Sequence, residues 1–481
     1  MAFPTSSKSP LDALTSFEGL DKLNCIGGNF EINTSAAIGS LNALSSFKGL
    51  ECLKRINGNF KVIASSISLK TLTSFEGLSQ LNYIGEDFEI NATTSLETLT
   101  SFKGLENLEE INGSFKLVTS GNSSLEALVS FEGLSKLKCI GKDFEINASM
   151  ERGSSLEVLT SFKGLENLEK INGNFKITTD AKNTKTNTFF LNSLGSFEGL
   201  NKLNYIGGDF EINASTKDGS SLEALTSFKG LENLEKINGN FKIIASTHPE
   251  YRSSSLKNLK SFEGLNQLNY IGGNFEINAS SLLSSSPYNS TSCLTALASF
   301  KGLENLEKID GNFKIIEYTR FALKSFASFE GLNQLNCIGG EFEVVCSDLK
   351  NLSLNNLITI GGETRISATL ETLALNKLNN INGDLYINGE MTSLDLISLT
   401  TITGNLTITK CPMLNNIDGL TNLSTVKNIS ITDCPKLYDF CVLKNIVQNN
   451  NSDFYTIGNG YNPTKYQLLN GECSKLPETT K

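Results

Sequence analysis

The 481-residue chain has no tryptophan, one histidine (His248), four methionines and eight prolines. One histidine excludes His-rich zinc sites, and any Ser-His-Asp or Cys-His mechanism would have to run through His248. That residue sits in STHPEYRSSS, a Ser-rich variable stretch that makes a poor catalytic platform, and it reads as a solvated loop residue. No run of about 18 apolar residues occurs, so a membrane span is not expected. The first twenty residues hold no apolar core of a secretion signal. That leaves two alternatives, a cytoplasmic protein or a chain without its true N-terminus. Basic excess is also lacking: 41 Lys and Arg face 51 Asp and Glu, a formal charge of −10, which argues against a nucleic-acid partner. No C-x-x-C occurs among the ten cysteines, so neither a thiolate metal site nor a metal cofactor is expected.

What the chain has instead is repetition. SFEGL or SFKGL begins at residues 16, 46, 74, 101, 130, 161, 196, 227, 261, 299 and 328. A second Phe follows each first one thirteen residues later, from Phe17 and Phe30 to Phe329 and Phe342. The full unit, L-x-x-L-x-S-F-x-G-L-x-x-L-x-x-I-x-G-x-F-x-I, keeps 22 residues in all eleven copies, while the segments between units run from five residues (91–95) to sixteen (278–293). A constant frame with variable inserts means that the frame stacks and the inserts project.

The F-x-I segment alternates apolar with charged, the period of a half-buried strand, and no unit offers a helical stripe of ten residues. Gly or Asn precedes it, as in Ile26-Gly27-Gly28, and these types are expected to supply positive φ at a tight corner. Charge alternates from unit to unit: Glu18, Lys48, Glu76, Lys103 and onward in SFxGL, and Glu31, Lys61, Glu89, Lys116 and onward in F-x-I. In stacked coils about 4.8 Å apart this alternation puts opposite charges together and fixes register. From about residue 346 the rhythm shortens to 21 residues through Ile360-Gly361-Gly362, Ile381-Asn382-Gly383 and Ile402-Thr403-Gly404, and Val426–Ile429 reads as a last corner. The expected organisation is an N-terminal stub (1–10), eleven long coils (11–345), shorter coils (346–431) and a C-terminal cap (432–481). The whole is an all-β, leucine-rich-repeat-like solenoid of about fifteen coils.

LTSFKGLENLEKINGNFKI and LTTITGNLTITKCPMLNNIDGLTNLSTV resemble the receptor L domain, the leucine-rich right-handed parallel β-helix of the insulin and epidermal growth factor receptor ectodomains. They resemble still more the repetitive L-domain proteins of microbial surfaces, and YNPTKYQLLNGECS is similar to the ends of such bacterial modules. The resemblance covers about residues 11–431 and implies the fold. It carries over no ligand-contacting residue, and the chain lacks the cysteine-rich modules and membrane span of the receptors.

Cys25, Cys139 and Cys337 hold the same place in coils 1, 5 and 11; four coils amount to roughly 19 Å, too far for these to pair with one another. Cys411 and Cys434 share a C-P-x-L context one coil apart, able to pair or merely to stack. Cys441 and Cys473 flank the cap and could clip it. The other thiols read as small buried hydrophobes. Asn91, Asn147, Asn213 and Asn278 open N-x-S/T sequons, which chance and duplication suffice to explain. The charge ladders lack the irregular cluster of unlike groups that a polysaccharide-processing site requires, so no catalytic residue is expected. The longest inserts, 178–190, 244–255 and 278–293, are the best functional candidates. Three readings follow. The first is a cell-surface or secreted adhesion solenoid whose inserts bind a protein or glycan. The second is an intracellular scaffold, and the third a carbohydrate-active β-helix.

Overall fold

The computed structural model describes residues 13–35, 41–65, 68–121, 124–148, 154–180, 188–216, 219–247, 253–281, 292–319 and 322–475. The stub at 1–10 and His248 lie outside them. Two compact units divide the chain. The first is Met1–Leu259, Glu263–Leu265 and Ser281–Leu294; the second is Lys260–Phe262, Asn266–Ser280 and Thr295–Lys481.

In the first unit the F-x-I segments form the strands Phe30–Asn33, Phe60–Ser65, Phe88–Thr93, Phe115–Ser120, Phe144–Ala148, Phe175–Asp180, Phe210–Thr216 and Phe241–Thr247. Each pairs in parallel with the next, Phe opposite Phe. The two-residue corners, from Cys25–Ile26 to Lys236–Ile237, make a second parallel sheet. Each unit is therefore a stack of parallel coils, a leucine-rich-repeat-like β-solenoid. The second unit stacks Phe275–Ser281, Phe313–Glu317, Phe342–Cys346, Thr364–Ala368, Leu385–Asn388, Leu406–Thr409 and Asn428–Thr432 in the same way. An eighth rung, Asp453–Ile457, continues this sheet beyond the point where the sequence rhythm fades. Two short helices follow the last corner, Lys444–Asn450 and Lys465–Leu469. Thr464 and Gln467 cap the second reciprocally.

One coil shows how the frame folds. The amides of Leu44, Leu50 and Leu53 donate to the carbonyls of Leu41, Phe47 and Leu50 at 3.2, 3.1 and 2.9 Å, closing three successive turns. In the middle turn, F-K-G-L, Gly49 has φ +97, the value the third residue of a type II turn requires. The Phe47 amide then donates to Glu76 O of the next coil at 2.7 Å. Positive φ thus falls on the SFxGL glycines; the corner glycines have ordinary φ, contrary to the expectation from Gly27 and Gly28. Corners need Gly for closeness instead: a Cβ on Gly85 would lie 2.1 Å from Asn57 O of the coil before. A further left-handed residue is the Leu that opens the frame, with φ between 47 and 56 at Leu41, Leu69, Leu96, Leu125, Leu156, Leu191, Leu222, Leu256 and Leu294. All of these are buried. Burying the side chain offsets a backbone geometry unfavourable for a non-glycine residue.

Every coil after the first turns the same side chains inward. Leu72, Phe75, Leu78, Leu81, Ile84, Phe88 and Ile90 are all at 0% exposure. The two Phe series become two columns of stacked rings, as in Phe60, Phe88 and Phe115 with centroids 5.1 Å apart, and the columns tilt against each other at about 6 Å (Phe75 to Phe88, 5.9 Å). Outside, Glu31, Lys61, Glu89, Lys116, Glu145, Lys176, Glu211 and Lys242 stand opposite one another in register. Lys61 reaches Glu89 at 3.0 Å and Lys48 reaches Glu18 at 2.6 Å. A second ladder runs just ahead of the Phe: Asn29 Oδ1 accepts from the Asn59 amide, Asn59 Oδ1 from the Asp87 amide and Asp87 Oδ1 from the Ser114 amide, at 2.8–3.0 Å. It continues through Asp143, Asn174 and Asp209.

Candidate functional site

The inserts begin and end more tightly than their sequence suggests. In the first unit the F-x-I strands run on into them, to Asp180 and Thr247, and the chain returns on strands of a third parallel sheet: Ser154–Ser155, Thr188–Phe190, Gly219–Ser221, Ser253–Ser255 and Ser292–Cys293. Pairing is in register, Phe190 to Ser221 to Ser255 to Cys293. The insert bases therefore lie in one row at strand spacing, about 4.8 Å apart. Residues 181–187, 248–252 and 282–291, the middles of the three longest inserts, lie outside the described residues.

Buried hydroxyls close the bases. Thr34 and Ser68 lie 2.6 Å apart, Thr119 donates to Ser155 at 3.1 Å, and Thr179 bonds Ser221. The last of these clasps is Thr247 with Cys293, 3.2 Å apart. Burial pushes the Cys293 thiol up to about 11, with the Thr247 hydrogen bond opposing the shift. The Ser column of this sheet is thus structural, and its signal in the sequence is the Ser that precedes most of the opening Leu, as in Ser155-Leu156, Ser221-Leu222 and Ser255-Leu256. On the outer side Phe189 is 41% exposed among serines. Glu223 nearby accepts from Ser254 and pairs with Lys257 at 2.6 Å.

The cysteines fall into three groups. Cys441 and Cys473 form a disulfide that ties the turn before helix Lys444–Asn450 to the segment after Lys465–Leu469. Cys411 and Cys434 are buried, free and on adjacent coils, each donating to the carbonyl two residues earlier, Thr409 at 3.4 Å and Thr432 at 3.3 Å. The two neighbouring thiols are driven apart in acidity, the Cys434 side chain and burial pushing Cys411 up and the Cys411 side chain holding Cys434 down. Cys25 and Cys52 are free and exposed, Cys139 and Cys337 free and half-buried, and Cys346 free and buried. Of the sequon residues, Asn91, Asn147, Asn213 and Asn278 are half-buried on the outer face of the F-x-I strands. Among the described residues no three metal-ligating side chains cluster, and no helix is long and apolar enough to cross a membrane.

No protein-family model matches the chain, and no curated protein matches it. A solved structure, a TLR13–ssRNA13 complex, aligns over 86% of this chain and 82% of its own at 14% identity, with a TM-score of 0.13. That score is too low to support fold or function. The parallel-coil architecture itself defines the class, a repeat solenoid of the kind that serves as a binding scaffold.

Proposed function

We propose that the chain is a non-catalytic recognition and adhesion solenoid of the receptor L-domain type, secreted or displayed at a cell surface, which binds a protein or glycan through its inserts. The observation that carries this reading is the row of insert bases on the third sheet of the first unit. Clasped bases hold variable segments at fixed spacing, the geometry by which a rigid scaffold presents recognition loops. Phe189, an exposed aromatic at the base of one insert, is an anchor of the type that concentrates binding energy. Charge ladders whose members pair coil by coil support a non-catalytic role, since they leave no group poised for proton transfer.

The test replaces 181–187, 248–252 and 282–291 with short Gly-Ser links and screens parent and variant against protein and glycan arrays. Ligands bound by the parent and lost by the variant, with unchanged thermal unfolding, are the expected result; a ligand profile indifferent to the replacement refutes the reading. A second reading, an intracellular scaffold with the same fold, is favoured by the eight free thiols among the described residues.

A further inference from the structure

In the second unit one core column changes character. In the first unit the fifth residue of each F-x-I strand points inward and is small, as at Ala64, Ala92, Ala148, Ala214 and Ala245, all buried. The same position in the second unit is held by Ala279 and then by Glu317, Cys346, Ala368, Gly389, Lys410, Asp433 and Gly458. In the last three the backbone turns left-handed, with φ 52, 55 and 70, a geometry that lysine adopts only at a cost in free energy. Their chain leaves the core there, and Lys410 and Asp433 stand exposed.

The result is an open furrow of about 800 Å³ whose lining takes in that column from Glu317 to Gly458. Tyr318 stands at one end, 62% exposed, and Pro412 and Pro435 at the other. Ser347, Ser367, Thr369 and Asn388 add polar groups between them. Glu317 is committed to structure, accepting from the Leu323 and Ser347 amides at 3.3 and 2.6 Å. Glu390, Lys410 and Asp433, one per coil, are exposed; the Lys410 and Asp433 amides donate within the ladder to Thr432 and Ile457, but among the described residues the three side chains take part in no hydrogen bond or ion pair.

We propose that this furrow binds an extended, uncharged β-linked polysaccharide, one sugar to each coil; the proposal rests on reading the chain as a binding scaffold but not on the inserts. Seven coils span six steps of about 4.8 Å, roughly 29 Å. A β-1,4-linked hexose in an extended chain advances by nearly that step with alternate sugars turned over, so one sugar meets each coil and the same face recurs at every second coil. An extended peptide advances by about 3.3 Å per residue and falls out of phase with the coils. Exposed carboxylates and an ammonium hydrogen-bond hydroxyls strongly, and a tyrosine face and proline rings suit the apolar faces of sugar rings. Two free carboxylates against one lysine disfavour a polyanion.

The test is calorimetric titration of the full chain with β-1,4-linked glucose, mannose and N-acetylglucosamine oligomers of two to eight units, and with a β-1,4-linked mannuronate hexamer as the acidic counterpart. Affinity for at least one neutral series is expected to rise up to about seven sugars and then level off, with the acidic hexamer not binding. Asp433→Ala and Lys410→Ala are each expected to weaken binding about tenfold, the worth of one charge-assisted hydrogen bond. Ser367→Trp, which fills the floor, abolishes it, and unchanged thermal unfolding of each variant shows that the coil is intact. Binding that survives replacement of the three inserts separates this site from the insert edge. No binding by any neutral oligomer, equal binding of the acidic hexamer, capture of extended peptides instead, or full binding by Ser367→Trp overturns the proposal.

Discussion

Replacing one ring in the middle of a Phe column probes the stacking directly. Phe115 is fully buried between Phe88 at 5.1 Å and Phe144 at 5.2 Å, nearly parallel to both, with the second column tilted against it through Phe102 at 5.7 Å and Phe131 at 6.0 Å. Phe115→Ala removes the ring and leaves a hole lined by four other Phe. Those neighbours belong to coils fixed by backbone ladders on both sides, so they cannot collapse into it. A loss of about 3–5 kcal/mol is expected, towards the upper end. Phe30 provides the control: it belongs to the first described coil, is only half-buried, and touches Phe17, Phe47 and Phe60. Phe30→Ala should cost about 1–2 kcal/mol, because much of that ring already faces solvent. Urea unfolding followed by circular dichroism measures both, and hydrogen exchange locates the damage in strand Phe115–Ser120. Equal losses, or a Phe115→Ala loss below about 1 kcal/mol, would refute the column as a source of stability.

Further expectations concern the turns, the charges and the thiols. Gly133→Ala and Gly19→Ala share the backbone penalty of positive φ (+111 and +100), but only the first drives a Cβ to 2.1 Å from Phe102 O. Gly133→Ala should therefore be the more destabilising by about 2 kcal/mol in the same unfolding assay. Lys61→Glu sets three carboxylates in line with Glu31 and Glu89. It should cost about 0.5–1 kcal/mol, less at high salt, and a salt-independent loss would contradict the electrostatic account. Burial, aided by the Glu317 charge, pushes Cys346 from 9.0 up to about 12. The unfolded chain then gives up that proton first, so stability is fully present below pH 9 and is lost as the pH rises towards 12. Unfolding midpoints across this range should fall less steeply in Cys346→Ala.

How much of this was legible in the sequence depended on whether a feature repeats as a side chain or as a backbone angle. The repeated frames, the Phe columns and the alternating Glu and Lys are side-chain periodicities, and within each unit the described residues stand in register. The left-handed opening Leu left no trace, since leucine is a residue type that normally avoids positive φ. Corner glycines drew attention away from those in SFxGL because a close approach between coils cannot be seen within one coil. Third-sheet strands such as Ser253–Ser255 read as linkers, their serines being poor strand formers held by clasps to residues more than 30 positions away. The ladder from Asn29 to Asp209 alternates Asn, Asp and Ser, types that read as turn residues rather than as one column. The furrow was illegible for a related reason. Lys410 and Asp433 occupy a core position in the repeat and leave the core only because the backbone turns there.

The measurement that bears most directly on display and recognition is brief protease treatment of intact source cells, with the released peptides identified by mass spectrometry. Peptides ending within 181–187, 248–252 or 282–291 and released from unlysed cells are the predicted result, since Ser- and Asn-rich inserts are the favoured cleavage sites. Peptides that emerge only after lysis would contradict surface display and make the intracellular scaffold the working account.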